Sequence, residues 1–140
     1  MKFPEDIRVV GDKTFRRECQ KESADQITFF NRLRRQHPTT YGKIAVHNRN
    51  EGKRTGQQAA RHKADGMVTG APDIMIPGNP SFLCELKRKN HTLSSISDKQ
   101  AAYLQAASKL GSTVCIALGV DAAYEAFSEW EKGQRKKLRK

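Results

Sequence analysis

Asp73, Glu85 and Lys87 are the residues whose types and spacing suggest chemistry. Asp73 follows Pro72 at the head of the apolar run Ile74-Met-Ile76, and Glu85 and Lys87 lie two apart in Phe82-Leu-Cys-Glu-Leu-Lys87. Residues two apart on a strand share a face, so Leu83, Glu85 and Lys87 point one way and Phe82, Cys84 and Leu86 the other, toward a core. An acid and a lysine on an otherwise apolar strand are costly unless a counter-charge or a metal offsets them. Between the two runs stands Pro77-Gly-Asn-Pro-Ser81, a dense turn signal. Two apolar runs about such a turn predict a hairpin. If it is symmetric about Asn79, Ile76 opposes Phe82 and Asp73 opposes Glu85. Directly opposed side chains have Cβ atoms about 4.5–5.5 Å apart, and like charges there repel. Two carboxylates that close favour a divalent cation between them, and an oxygen-only ligand set suits Mg²⁺ or Mn²⁺. The bland alternative is a surface hairpin with ordinary charges, since a lone acid followed by E-x-K is common by chance.

The elements around this hairpin must bring further groups to it. A helix is predicted from Cys19 to Gln36, stopping before Pro38, with an inward stripe of Gln26, Phe29/Phe30 and Leu33. One turn back from Gln26 the stripe reaches Glu22, with Asp25 as a nearby rival acid. A second helix, Asp98–Leu110, has Ser97 as its N-cap and Gly111 after its end. Its inward stripe is Gln100, Tyr103/Leu104, Ala107 and Leu110. Short strands are predicted at Ile7–Val10, Lys43–His47 and Thr113–Leu118, and further helices at Gln57–Asp65, ending at Gly66, and Asp121–Glu131. That order predicts an α/β fold, a mixed β-sheet flanked by α-helices. Residues 1–18 read as a loose polar arm, 19–132 as one domain and 133–140 as a basic tail.

Composition narrows the partners. The 140 residues hold 26 Lys and Arg against 15 Asp and Glu, a net charge of +11. The tail from Gln134 carries five basic residues and no acid, and without it the rest still carries +6. Such a charge favours a polyanion. No apolar run approaches the roughly 18–20 residues of a membrane span, and no helix pairs a wide apolar face with a basic one, so no membrane partner is expected. The start of the chain lacks the apolar stretch of a signal peptide. Three widely spaced cysteines, Cys19, Cys84 and Cys115, fit reduced thiols, and with no CxxC pair a structural zinc site is not expected. A cytoplasmic location follows as an expectation.

Taken together, the strings Gly66-x-x-x-Gly70-Ala-Pro-Asp73-Ile and Phe82-Leu-Cys-Glu85-Leu-Lys87-Arg88, followed by Gln100, Gly111-x-x-Val114 and Asp121-Ala-Ala, resemble the VRR-NUC nucleases of the PD-(D/E)xK superfamily. The resemblance runs from about Glu22 to Trp130. It implies a restriction-endonuclease-like core and divalent-metal-dependent cleavage of DNA phosphodiesters. By position, Asp73 and Glu85 would bind Mg²⁺ or Mn²⁺, helped by the Leu86 carbonyl. Lys87 would orient or activate the attacking water, Glu22 matches the acid on the family's first helix and would join the metal ligands, and Gln100 matches the glutamine after the ExK strand. Family members of this size resemble Holliday-junction resolvases, which act as homodimers. The expectation is therefore an endonuclease selective for branched DNA, in a bacterial cell or phage-infected host. A nicking or nonspecific nuclease, and a noncatalytic basic nucleic-acid-binding protein, are the alternatives.

The remaining candidates are contacts to DNA. His47, Asn48 and Arg49 open a basic loop. Lys53, Arg54, Arg61 and Lys63 form a candidate phosphate track, and Arg88 and Lys89 follow the active strand. Contacts of this kind fix position without reading sequence. His62 and His91 are expected to be exposed and His37 to end the first helix. Phe127 and Trp130 are expected in the core or a dimer contact, and the tail as a disordered DNA grip.

Overall fold

A computed structural model describes residues 1–48 and 56–138. Three of the proposed DNA contacts, Arg49, Lys53 and Arg54, lie outside the described residues, as does the side chain of His62. In chain order the elements are β1 (Val9–Val10), α1 (Glu22–Gln36), α2 (Tyr41–Ile44), β2 (Val46–His47), α3 (Gly56–Ala64), β3 (Ile74–Ile76) and β4 (Phe82–Lys87). A 3-10 turn (His91–Leu93), α4 (Asp98–Lys109), β5 (Thr113–Leu118) and α5 (Val120–Leu138) complete them. The strands form one sheet in the order β1-β5-β4-β3-β2. β3 is antiparallel to β2 and β4, while β5 is parallel to β4 and β1. The α/β mixed sheet expected from the sequence is therefore present.

β4 occupies the centre of the sheet, and all six of its residues are buried. Its alternation separates two cores. Phe82, Cys84 and Leu86 join Phe29, Leu33, Phe127 and Trp130 beneath α1 and α5. On the other face Leu104 of α4 meets Ile7, Ile116 and Leu118. Phe127 and Trp130 are thus core residues of this chain, and Trp130 Nε1 donates to the Pro80 carbonyl at 2.8 Å.

The hairpin has the predicted register, with Ile76 opposite Phe82 and Ile74 opposite Cys84. Elsewhere the boundaries differ for local reasons. α1 begins at Glu22 and not Cys19, because the Cys19 carbonyl accepts from Arg88 Nη2 and its thiol from the Asn90 N–H, which ties the lead-in to another loop. The predicted strand from Lys43 is half helix. Gly42 packs onto the end of α1, its N–H donating to the His37 carbonyl, so the chain turns once as α2 before extending at Val46. Leu110 was placed on the inward stripe of α4, but it follows the last helical residue and is 89% exposed. The short strand expected at Ile7–Val10 is present as β1, which extends the sheet along β5, and the buried Ile7 and Val10 anchor that part of the polar N-terminal arm. The basic segment is helical as far as Leu138, and Lys137 Nζ reaches the Asn79 carbonyl, so to that point it is not the disordered grip that was expected.

One close approach fixes how α4 sits on the sheet. Gly70 has φ +88°, and a Cβ there would lie 2.6 Å from the Lys99 carbonyl carbon and 2.9 Å from the Gln100 nitrogen. Both the positive φ and the contact require glycine. Gly70→Ala is expected to lower unfolding stability by about 1–3 kcal/mol. Chemical denaturation of the variant beside the parent measures it.

Candidate active site

The predicted carboxylate pair forms where β3 begins and β4 ends. Asp73 stands one residue before β3, and extending the hairpin register by one sets it opposite Glu85. Its carboxylate also leaves the ladder pattern: Oδ2 accepts the Leu86 N–H at 2.9 Å. Three side chains hold the backbone behind it. Gln26 Nε2 and His47 Nδ1 lie against each other and both contact the Asp73 carbonyl, at 3.5 and 3.0 Å. Asn48 donates its N–H to the same carbonyl at 3.0 Å and its Nδ2 to the Pro72 carbonyl at 2.9 Å.

Glu85 is 1% exposed, inside the sheet. Its Oε1 lies 3.7 Å from Lys87 Nζ and accepts from Gln100 Nε2 at 3.3 Å, whereas Oε2 is buried with no partner. Lys87 Nζ in turn donates to Gln100 Oε1 at 3.3 Å. The position of Gln100 follows from local helix chemistry. Ser97 caps α4 by accepting the Gln100 N–H, and Gln100 Oε1 accepts the Ser97 N–H, a reciprocal capping box. The glutamine at the third position of the helix is thereby held against both Glu85 and Lys87.

Burial, and then the neighbouring Asp73 carboxylate, push Glu85 up to about 10, with Lys87 opposing and Glu22 adding to the rise. Glu22 sits half-buried at the start of α1. Its Oε1 accepts from Ser94 Oγ at 2.7 Å, and that hydroxyl accepts the Arg88 N–H at 3.0 Å. The rival acid, Asp25, is buried elsewhere, on a cavity against the start of α5. Asp73, Glu85, Lys87 and Gln100 thus come together, with the charge of Glu22 felt at Glu85.

The residues present fit a divalent cation. A buried carboxyl oxygen without a geometric hydrogen-bond partner among the described residues, beside a second carboxylate, is an environment that a doubly charged ion stabilises. Among the described residues no three His, Cys, Asp or Glu side chains form a ready-made cage, so Asp73 and Glu85 would hold the ion with backbone or solvent oxygen completing its shell.

The outlying candidates fare differently. His47 and Asn48 brace Asp73 through the contacts just described. Arg88 turns inward: Nη2 is spent on the Cys19 carbonyl and Nε is buried. Lys89 is exposed, with its ammonium 4.5 Å from the centroid of the Phe15 ring. Arg61 and Lys63 lie exposed on α3. His91, expected at the surface, is 7% exposed, because its Nδ1 contacts the N-terminal amine, its Nε2 the Lys13 carbonyl and its ring the edge of Phe3. The roles of Gln26 and Ser94 went unseen in the sequence. Gln26 is a polar residue on an apolar stripe, which was a usable signal. Ser94 lies in a polar loop that offers none.

No protein-family model matches the sequence, and no curated protein matches it. Among solved structures, one described as a VRR_NUC domain protein superposes with a TM-score of 0.68 at 20% identity, covering 83% of this chain and 92% of that one. The fold anticipated from the motifs is therefore the one observed.

Stability should depend on pH through Glu85. Its folded value lies above the ordinary 4.5, so the unfolded chain releases this proton first. Stability due to the protonated form is complete below the ordinary value and is lost as pH rises toward the folded one. Metal-free protein is expected to melt at progressively lower temperature from about pH 5 to about pH 9. Glu85→Gln should flatten that slope, which thermal melts across the range will measure.

Proposed function

We propose that this protein is a divalent-metal-dependent deoxyribonuclease that hydrolyses phosphodiester bonds. The observation that carries the reading is the buried, partner-less oxygen of Glu85 beside Asp73, with Lys87 on the same strand face. A binding module has no use for carboxylates gathered where a phosphate must approach. The fold likeness to a VRR_NUC domain protein and the net charge of +11 support the same reading.

A bound Mg²⁺ or Mn²⁺ would polarise the phosphoryl oxygen and lower the pKa of a coordinated water. Asp73 and Glu85, with the Leu86 carbonyl, would hold that ion, and Glu22 would add negative charge nearby. Lys87 places an ammonium where charge develops on the phosphate and orients the attacking water. Gln100 keeps Lys87 from collapsing fully onto Glu85 by offering its own oxygen. The long-range positive field draws DNA in, and binding falls steeply with salt.

We further propose branched DNA, such as a four-way junction, as the substrate. The support is the resemblance of small VRR-NUC proteins to junction resolvases. A homodimer would set two active sites across a twofold axis, as paired cuts in a junction require. Bacterial cytoplasm, or a phage-infected cell, is the proposed setting. A nicking or nonspecific nuclease is the nearer alternative.

The test is cleavage of a labelled four-way junction, fork, flap and linear duplex with Mg²⁺, Mn²⁺ or EDTA. Cleavage is expected with metal only, and Glu85→Ala or Lys87→Ala should slow it at least about 100-fold while leaving DNA affinity within a few-fold. Gln100→Ala should slow it about tenfold, through a misplaced Lys87. Symmetric paired cuts in the junction alone identify a resolvase, and cutting of every substrate removes the junction preference. Tight binding without cutting in either metal turns the reading to a noncatalytic DNA-binding protein.

A further inference from the structure

A cavity of about 510 Å³ opens behind the end of the active strand, between β1, the start of α1 and the start of α5. Its charge is opposite to that of the protein. Asp12, Glu18, Asp25, Asp121 and Glu125 line it, against Lys89 as the one basic lining residue among the described residues, in a chain that carries +11 overall. DNA would be repelled from such a surface.

Asp25 is the informative member. It is 4% exposed and lines the cavity, yet its carboxylate has no hydrogen bond or ion pair from any side chain among the described residues. Burial, and then the Asp121 carboxylate, raise its pKa despite the opposing charges of Arg88 and Lys89. Neither cation reaches it: Arg88 Nη2 is bound to the Cys19 carbonyl, and Lys89 Nζ sits over Phe15. Glu18, Asp121 and Glu125 also lack ion pairs among the described residues, whereas Asp12 is satisfied by the N–H and hydroxyl of Thr14. Asp25 and Asp121 lie in the first turns of α1 and α5, and each helix dipole offsets only about half a charge. That leaves most of the negative charge unanswered. The rest of the wall is apolar, with Leu118, Val120 and Ala122 among its members.

From this we infer that the cavity is a binding site for an organic cation, an alkylammonium or guanidinium group on an apolar stem, with Asp25 as its buried counter-ion. The head group pairs with Asp25 and Asp121, and the stem lies on Leu118 and Val120. Three acids in a cage are not gathered here, which disfavours a bare metal ion. The inference stands independently of nuclease activity. Two sources supply this chemistry: a free amine, or a Lys or Arg side chain from the exposed basic end of α5 in a second copy.

Calorimetric titration of the full chain with 1,4-diaminobutane and with arginine amide tests it, using 1,4-butanediol as the uncharged control. Saturable binding of at least one cation and none of the diol is expected. Asp25→Asn should weaken that binding at least about tenfold, as loss of a charge-assisted contact does, and Asp121→Asn should weaken it less. Thermal melts check that both variants fold, and Asp121, on the surface, serves if Asp25→Asn does not. Absence of saturable binding, or equal binding by folded Asp25→Asn, overturns the inference. Sedimentation in the same titration separates the sources. A dimer that the diamine dissociates identifies the side chain of a second copy, and a monomer throughout identifies a free amine. Each upholds the site.

Discussion

A carboxylate held inside the central strand of a sheet sets the terms for the rest of this molecule. Glu85 is surrounded by protein on both sides, and ionising it there is expensive enough that burial and Asp73 push it up to about 10. Its neighbours answer it unevenly. Lys87 supplies charge at 3.7 Å, Gln100 one hydrogen bond, and Asp73 makes the problem worse by standing opposite. The arrangement is locally frustrated, and only the surrounding cores, with Phe29, Phe82 and Phe127 on one face and Leu104 and Ile116 on the other, hold it together.

That frustration is also why the site could be read from the sequence. Polar residues on strictly periodic apolar elements break the pattern, and each break here marks a residue of the site: Glu85 and Lys87 on a strand, Gln26 on a helical stripe, Gln100 at the head of another. The hairpin register followed from the turn alone. Ser94, which positions Glu22, breaks no pattern and was invisible. His91 was misjudged because what buries it comes from residues at the far N-terminus, in contacts that no local window contains. The same holds for the half-helical stretch at Tyr41–Ile44, where the packing of Gly42 on the preceding helix overrides a β-branched strand signal.

The basic residues were the least legible group. Sequence gives their number, and the net charge is a sound guide to the class of partner. It does not tell a solvated cation from one consumed internally. Arg88 is immediately downstream of β4 yet is drawn inward to the Cys19 carbonyl, while Arg32 lies over the Tyr124 ring at 3.8 Å. A positive count therefore overstates the charge available to a polyanion, and it hides the acid-lined cavity at Lys89.

The capping box of α4 carries a consequence for motion. Helix ends are the first parts of a fold to open, usually with the loss of a bond or two. Here the glutamine that closes the first turn is the same one that spaces Glu85 from Lys87, so opening the cap and loosening the site are a single event. The population of the frayed turn sets the fraction of time Gln100 is held against Lys87 and Glu85. Substitutions at Ser97, which meets the site only through its cap on Gln100, would act on the site as a change in its duty cycle while its geometry stays the same.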